Sequence, residues 1–144
     1  LTHIFQPPGS RMPPERINVK DYWPWTVQKV LGGETLIISN MTEIPAEAAL
    51  DLDNYGRYGT RSVVAVPLSV GDGPIFGLLT FATITQERCW PEEVVADFRL
   101  IAQVFANALA RKRMEERLKG RLQEIEDLKQ RLEQENLFLE NYKS

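Results

Sequence analysis

The stretch SVVAVPLSVGDGPIFGLLTFAT, residues 62–83, determines the fold class of this chain. It holds two nearly continuous apolar runs, 62–70 and 75–83, which is typical of strands covered on both faces. The GDG sequence at 71–73 between them is a hairpin signal. Pro67 has no N–H for a ladder hydrogen bond, which favours an edge or bulged position for its strand. We therefore expect a buried antiparallel hairpin.

Further elements flank this hairpin on both sides. Residues 1–5 and 35–39 favour strands, whereas prolines open short helices over 25–31 and 45–55. Pro91 then begins a long helix with an apolar face at helical spacing. That face consists of Val94, Phe98, Ile101, Phe105 and Ala108. The order predicts an α+β domain with a central antiparallel sheet, the last helix on one face and the short helices on the other.

Composition excludes several classes of function. The 144 residues carry a formal net charge of -3, so there is no basic surface for nucleic acid, and no direct nucleic-acid binding is expected. One cysteine, Cys89, excludes an internal disulfide and fits a reducing compartment. No apolar run approaches the length of a membrane span, and no signal peptide is visible. We expect a cytoplasmic protein with no membrane contact.

The C-terminal stretch from 111 to 144 is highly charged, with nine basic and eight acidic residues, no proline and a single glycine. Four apolar residues recur there at intervals of seven: Leu118, Ile125, Leu132 and Leu139. A helix with so narrow an apolar seam buries it against a partner helix. The seam predicts a homodimer formed through the C-terminal helices. The alternative is a single solvated helix.

The polar residues of the seam bear on its register. If the four apolar residues occupy heptad position d, position a holds Leu122, Lys129 and Asn136. An Asn at a favours two parallel strands in fixed register. A second register, through Leu128 and Tyr142, stays open. The residues expected at the dimer and relay interface are Phe105, Ala108, Leu109, Leu118, Leu122, Ile125, Leu132, Asn136 and Leu139.

Several stretches together resemble a bacterial GAF domain. They are YWPW (22–25), IPAEAALD (44–51), GTRSVVAVPL (59–68), IFGLLTFAT (75–83) and RCWPEEVVADFRLIAQVFANALARKRMEERL (88–118). The resemblance covers about 17–118. It implies a central antiparallel sheet, with terminal helices on one side and a small-molecule pocket on the other. The family's first helix and strand have no counterpart before Leu1, so we expect an N-terminally truncated sensor domain over 1–112 and a coiled-coil linker over 113–144.

The tail carries a second resemblance. DLKQRLEQENLFLEN, residues 127–141, is similar to the connector between a GAF sensor and the AAA+ domain of sigma-54-dependent transcriptional regulators. This implies an output domain in the same polypeptide. A GAF-containing sensor histidine kinase is an alternative, because such kinases use the same kind of linker. A pure dimerisation element without ligand is another.

The sequence contains few residues that could support catalysis. His3 is the only histidine, and a reactive thiol would depend on Cys89 alone. No metal-ligand spacing occurs, and no cofactor is expected. The signature of cyclic-nucleotide-binding GAF domains is missing, and Cys89 lies on the wrong element for a bilin.

An unidentified small-molecule ligand, or none, remains. The candidate pocket residues are Trp25, Tyr55, Arg61 and Ser62. Arg61 could bind a carboxylate or phosphate in a bidentate manner. The structural alternative pairs Arg61 with Asp51 or Asp53, and makes Trp25 a core or lid aromatic.

Overall fold

The computed structural model describes residues 3–6, 8–11, 13 and 17–143. The chain forms two compact units, Leu1–Ala106 and Asn107–Ser144. The division at 112 expected from the sequence stays a prediction.

A three-stranded antiparallel sheet forms the centre of the first unit, in the order β1-β2-β3. Its strands are β1 (Leu36–Ile38), β2 (Ser62–Leu68) and β3 (Gly77–Thr83). The predicted hairpin pairing is confirmed, because β2 and β3 pair along their whole length, from Ser62 opposite Thr83 to Leu68 opposite Gly77. The expected burial of both strands is wrong for β3, an edge strand whose residues are all half-buried or exposed, whereas the central β2 is buried. Gly71 adopts a φ of 56° in the connection, a left-handed conformation that favours glycine.

The position of Pro67 differs from the prediction, because β2 is the central strand and not an edge. The short β1 pairs only with Val63–Ala65 of β2. Pro67 therefore lies beyond the end of β1, where its missing N–H leaves no ladder partner unsatisfied on that side.

Short helices precede and follow β1. They are α1 (Val19–Tyr22), α2 (Pro24–Leu31) and α3 (Ala49–Arg57). The helix expected to begin at Pro45 is a 3₁₀ turn at Ala46–Ala48 followed by α3. The strand expected over 1–5 is not found in its described part, His3–Phe5, and Leu1 and Thr2 lie outside the described residues.

The sheet separates two packing layers. Val63 pairs with Ile38, and both belong to a buried cluster beside α2 and α3. Val64 points the opposite way and pairs with Phe81, whose ring stacks on Phe98 of the last helix at 3.9 Å between centroids. The predicted arrangement of helices on the two faces is therefore observed. The cluster consists of Ile38, Ile44, Ala48, Tyr55 and Val63.

The last helix, α4 (Glu92–Lys143), packs through a different face from the one predicted. Its buried residues are Val95, Ala102 and Ala106, whereas Ile101 and Phe105 are 39% and 50% exposed. The prediction is therefore wrong for Ile101, Phe105 and Ala108, which is also exposed, whereas Phe98 of the predicted face does pack on the sheet. Periodicity located the bulky apolar residues, but the small side chains of Ala102 and Ala106 allow the closer approach to the domain.

In the second unit, every described residue from 111 to 143 is exposed. The four seam residues predicted from the heptad spacing are each more than half exposed. Across the described part of the chain, each helix is too short or too polar to span a bilayer.

Candidate functional site

Asp51 of α3 caps the N-terminus of α2 from a distance in sequence. The first helical residue, Pro24, has no N–H, and Trp23 at the N-cap position provides no side-chain cap. The carboxylate of Asp51 accepts the backbone N–H groups of Trp25 at 3.1 Å and Thr26 at 2.8 Å. These are the two donors at the helix start that have no intrahelical acceptor. One fully buried carboxylate thus satisfies both.

The same carboxylate anchors a short chain of hydroxyl groups. The Thr26 hydroxyl donates to Asp51 Oδ2 at 2.7 Å and lies 2.8 Å from the Tyr55 hydroxyl. Because the single Thr26 proton is directed at the carboxylate, the Tyr55 hydroxyl must donate to Thr26. Burial raises the pKa of Tyr55 to about 12, and the nearby Asp51 charge adds to this rise. Tyr55 is therefore a neutral phenol over the physiological range.

Several aromatic side chains centred on Trp23 pack over this hydrogen-bond network. The Trp23 ring lies 5.8 Å from both Tyr22 and Tyr55 and 5.9 Å from Tyr58, between centroids. Trp23 and Trp25 also pack against the buried cluster beside α2 and α3. Both indole Nε1 atoms are buried and have no hydrogen-bond partner among the described residues. Buried indole N–H groups usually have an acceptor, so these two donors are unusual features of this face.

Ser62 lies on the other face of the sheet. It precedes Val64 by two residues along β2, so its side chain points to the α4 face. Its hydroxyl donates to the Ser39 carbonyl at 2.6 Å and accepts the Arg88 N–H at 2.7 Å. The fold thus uses the Ser62 hydroxyl both as donor and as acceptor.

Arg61 has an exposed side chain, while its backbone N–H donates to Thr83 at 2.7 Å. Within the described residues it forms no ion pair with Asp51 or Asp53. The structure therefore brings together Trp25 and Tyr55, but places Ser62 on the opposite face and Arg61 at the surface. The ligand role of these four residues stays a prediction.

Thr26 was not predicted as a site residue, and Asp51 was expected only as a possible partner for Arg61. A signal was present: α2 begins at a proline and lacks a capping side chain of its own, so its free N–H groups required an acceptor from elsewhere. Nothing in the local sequence indicates which carboxylate supplies it.

The other reactive groups are dispersed. Cys89 is an exposed free thiol in the segment before α4. His3 is also exposed. Among the described residues, no three His, Cys, Asp or Glu side chains lie close enough together to hold a metal ion.

These features define a class: an α+β domain with an antiparallel sheet between helical layers, and a buried polar cluster beneath an aromatic cover on one face. Residues 2–109 match the GAF domain family, and the chain belongs to that family of sensory domains. No curated protein matches the chain.

Solved structures of GAF domains share the fold. The photoproduct state of GAF3 from Slr1393 of Synechocystis sp. PCC6803 is 24% identical, with a TM-score of 0.53 over 62% of this chain and 55% of that one. The GAF domain of the cyanobacteriochrome TePixJ is 22% identical, with a TM-score of 0.51 over 60% and 52%.

A domain of a putative two-component sensor histidine kinase protein from Sinorhizobium meliloti 1021 is 15% identical, with a TM-score of 0.50 over 57% and 55%. The chain spans about half the length of the structures it matches. At these identities the likeness concerns the fold.

Proposed function

We propose that this GAF domain is a non-catalytic sensory module of a bacterial transcriptional regulator. In this proposal two copies dimerise through their C-terminal helices and relay a signal to a sigma-54 AAA+ output domain in the same polypeptide. The observation that carries the proposal is the heptad row of apolar side chains in the second unit, Leu118, Ile125, Leu132 and Leu139, all more than half exposed. Burying such a row against a second copy removes its apolar surface from water.

Exposed residues of α4 in the first unit support dimerisation independently. Counting back by sevens from Leu118 reaches Val104, which is 68% exposed, and counting back from Leu122 reaches Ile101. These two residues have the same heptad phase as positions d and a of the seam. Arg111 and Glu115 interrupt the pattern between the two apolar segments. The interruption favours an adjustable coil over a maximally stable one.

The signal we propose is a small molecule bound on the side of the sheet where α2 and α3 lie. We call this side the Trp25–Tyr55 face, after the two candidate residues that it carries. The two unpartnered indole N–H groups are donors, so the ligand would carry acceptor oxygens or nitrogens. Asp51 already accepts three hydrogen bonds, and its negative charge disfavours an anion beside it. A planar neutral compound that stacks on Trp23 fits these features.

The dimer is tested by sedimentation of the 144-residue chain at micromolar concentrations. We expect a dimer that Leu132→Asp converts to monomer, because the new charge lies at position d. Gln130→Asp is the matched control, since it introduces the same charge two residues away at position b and should leave the dimer intact. A wild-type monomer, or equal effects of the two variants, would contradict the proposal.

The ligand is tested by thermal unfolding against a metabolite panel, with Trp25→Phe as the comparison variant. A compound that raises the Tm of the wild type but not of Trp25→Phe supports the indole as its donor. Absence of any shift supports the alternative of a dimerisation element without ligand.

A histidine-kinase output is the second candidate, because coiled linkers of this kind precede both outputs. The gene sequence after codon 144 decides between them. A GxxxxGK[ST] loop would support the AAA+ output, and a histidine-kinase domain would support the alternative.

A further inference from the structure

Two side chains form hydrogen bonds that link residues 88–90, the segment before α4, to the end of β1. The first is the buried Ser62, whose hydroxyl bridges the Ser39 carbonyl and the Arg88 N–H at 2.6 and 2.7 Å. The second is Trp90, whose Nε1 donates to the Ile38 carbonyl at 3.3 Å. Two consecutive carbonyls at the end of β1 are thus bound by groups that hold the start of the last helix.

The surroundings of Trp90 make this attachment rigid. Its ring meets Phe98 of α4 in an edge-on arrangement at 5.6 Å, and the Arg88 guanidinium lies 5.5 Å from the ring centroid. At the other end of β1, Arg99 of α4 donates to the Thr35 hydroxyl at 3.4 Å. Trp90, just before α4, and Arg99, within α4, thus bind residues at or next to the two ends of β1.

The same strand reaches the opposite face of the sheet. The Ile38 side chain belongs to the buried cluster with Tyr55, against which Trp23 and Trp25 pack. Its carbonyl accepts from Trp90. Ile38 thus joins the Trp25–Tyr55 face through its side chain and the α4 face through its backbone.

We propose that the Ser62 and Trp90 hydrogen bonds form a clamp that transmits a change at the Trp25–Tyr55 face to the start of α4. This inference rests on the proposed sensory function. A shift of Ile38 and Ser39 moves the carbonyl that accepts from Trp90 and, through the Ser62 hydroxyl, the acceptor of the Arg88 N–H, so the segment follows. Removal of either the Ser62 bridge or the Trp90 bond leaves a single link to the strand, so the coupling of α4 to the opposite face is reduced.

The test is a double-mutant cycle read by backbone amide hydrogen exchange. Tyr55→Phe perturbs the Trp25–Tyr55 face by removing the hydroxyl bonded to Thr26. In the wild type we expect it to speed exchange at Val95 and Ala96 roughly two- to tenfold, the range that corresponds to loss of one hydrogen bond. In a Ser62→Ala background, where these amides already exchange faster, Tyr55→Phe should add a clearly smaller change there.

Controls separate coupling from general destabilisation. The amides of Val64 and Ala65 in the central strand report global unfolding, and the changes at α4 are measured relative to them. Ser69→Ala, a serine-to-alanine change outside the clamp, should preserve the effect of Tyr55→Phe. Trp90→Phe keeps an aromatic side chain but removes the N–H donor, so it should reduce the effect as Ser62→Ala does, and it decides the question if Ser62→Ala does not fold.

Equal effects of Tyr55→Phe in the wild type and the clamp variants would overturn the proposal, as would no effect at α4 in the wild type. The exchange is measured within one protomer. A failure of the clamp is therefore distinguishable from a failure of dimerisation, which sedimentation reports separately.

Discussion

The carboxylate of Asp51 in α3 lies 2.8 Å from the backbone nitrogen of Thr26 in α2, and it accepts that N–H together with the N–H of Trp25. A helix that begins without its own cap is thereby completed by a residue 25 positions later in the chain. The contact also ties together the two helices that carry the aromatic cover. Asp51 thus links α2 and α3 at the Trp25–Tyr55 face through buried hydrogen bonds.

Replacing this carboxylate should destabilise the domain. Asp51→Asn removes the charge and one acceptor oxygen, so a buried N–H or hydroxyl proton loses its partner. We expect a loss of about 1.5–3 kcal/mol in the free energy of unfolding, measured by urea denaturation. Asp53→Asn makes the same chemical change at an exposed position of the same helix and should stay within about 0.5 kcal/mol of the wild type. Similar losses in both variants would contradict the capping role.

The raised pKa of Tyr55 predicts a pH dependence at the alkaline end. Below pH 10 the phenol is neutral in both states, so its contribution to stability is fully present. Between pH 10 and about 12 the unfolded chain releases this proton while the folded chain retains it, so stability falls as the pH rises. The difference in unfolding free energy between the wild type and Tyr55→Phe should therefore shrink over this interval.

Tyrosine absorbance at 295 nm provides the direct check of that pKa. The wild type should show one phenol that ionises near pH 12, and Tyr55→Phe should lack it. Removal of the exposed Tyr142 should leave the late ionisation in place. A Tyr55 that titrates with the exposed tyrosines would refute the buried geometry.

The two faces of α4 should respond differently to added volume. Ala106 is fully buried, so Ala106→Leu should destabilise the first unit by about 1–3 kcal/mol through overpacking. Ala96 is exposed on the same helix, and Ala96→Leu should be nearly neutral. Thermal unfolding of both variants measures the contrast. The reverse order would contradict the assignment of Ala106 to the packed face of α4.

The polar residue Asn136 should limit the strength of the coiled coil. Asn136→Leu removes a polar group from position a, so we expect tighter association or a higher stoichiometry in sedimentation experiments. Gln134→Leu adds a similar apolar side chain at position f and should change neither. If Asn136→Leu behaves as Gln134→Leu does, the second register, through Leu128 and Tyr142, becomes the better assignment.

Local sequence was sufficient for elements whose conformation depends on neighbouring residues. The hairpin of β2 and β3 follows from two apolar runs around a glycine-rich turn, and α2 begins at the proline that predicted it. The order of the strands in the sheet was harder to predict from the local sequence. Pro67 signals an edge only if the neighbouring strand extends past it, and the three-residue length of β1 was needed to place it correctly.

The candidate site was predicted in part. Trp25 and Tyr55 do lie together, because the two short helices pack on one face of the sheet. Ser62 was grouped with them from its proximity in the chain, yet strand alternation directs it to the other face, where it holds Arg88. Side chains of neighbouring residues along a strand point to opposite faces of the sheet. Ser62 therefore belongs to the clamp and not to the Trp25–Tyr55 face.

The sequence by itself determined the pattern of strands and helices, the heptad seam and the resemblance to the GAF domain, because these depend on composition and on short-range periodicity. Tertiary structure alone decided that Asp51 caps α2, that Ala102 and Ala106 rather than Ile101 and Phe105 pack against the domain, and that Ser62 bridges β1 to the segment before α4. Each of these joins residues far apart in the chain. Such contacts arise where the fold brings unsatisfied donors and acceptors or matching volumes together, and no local periodicity encodes that pairing.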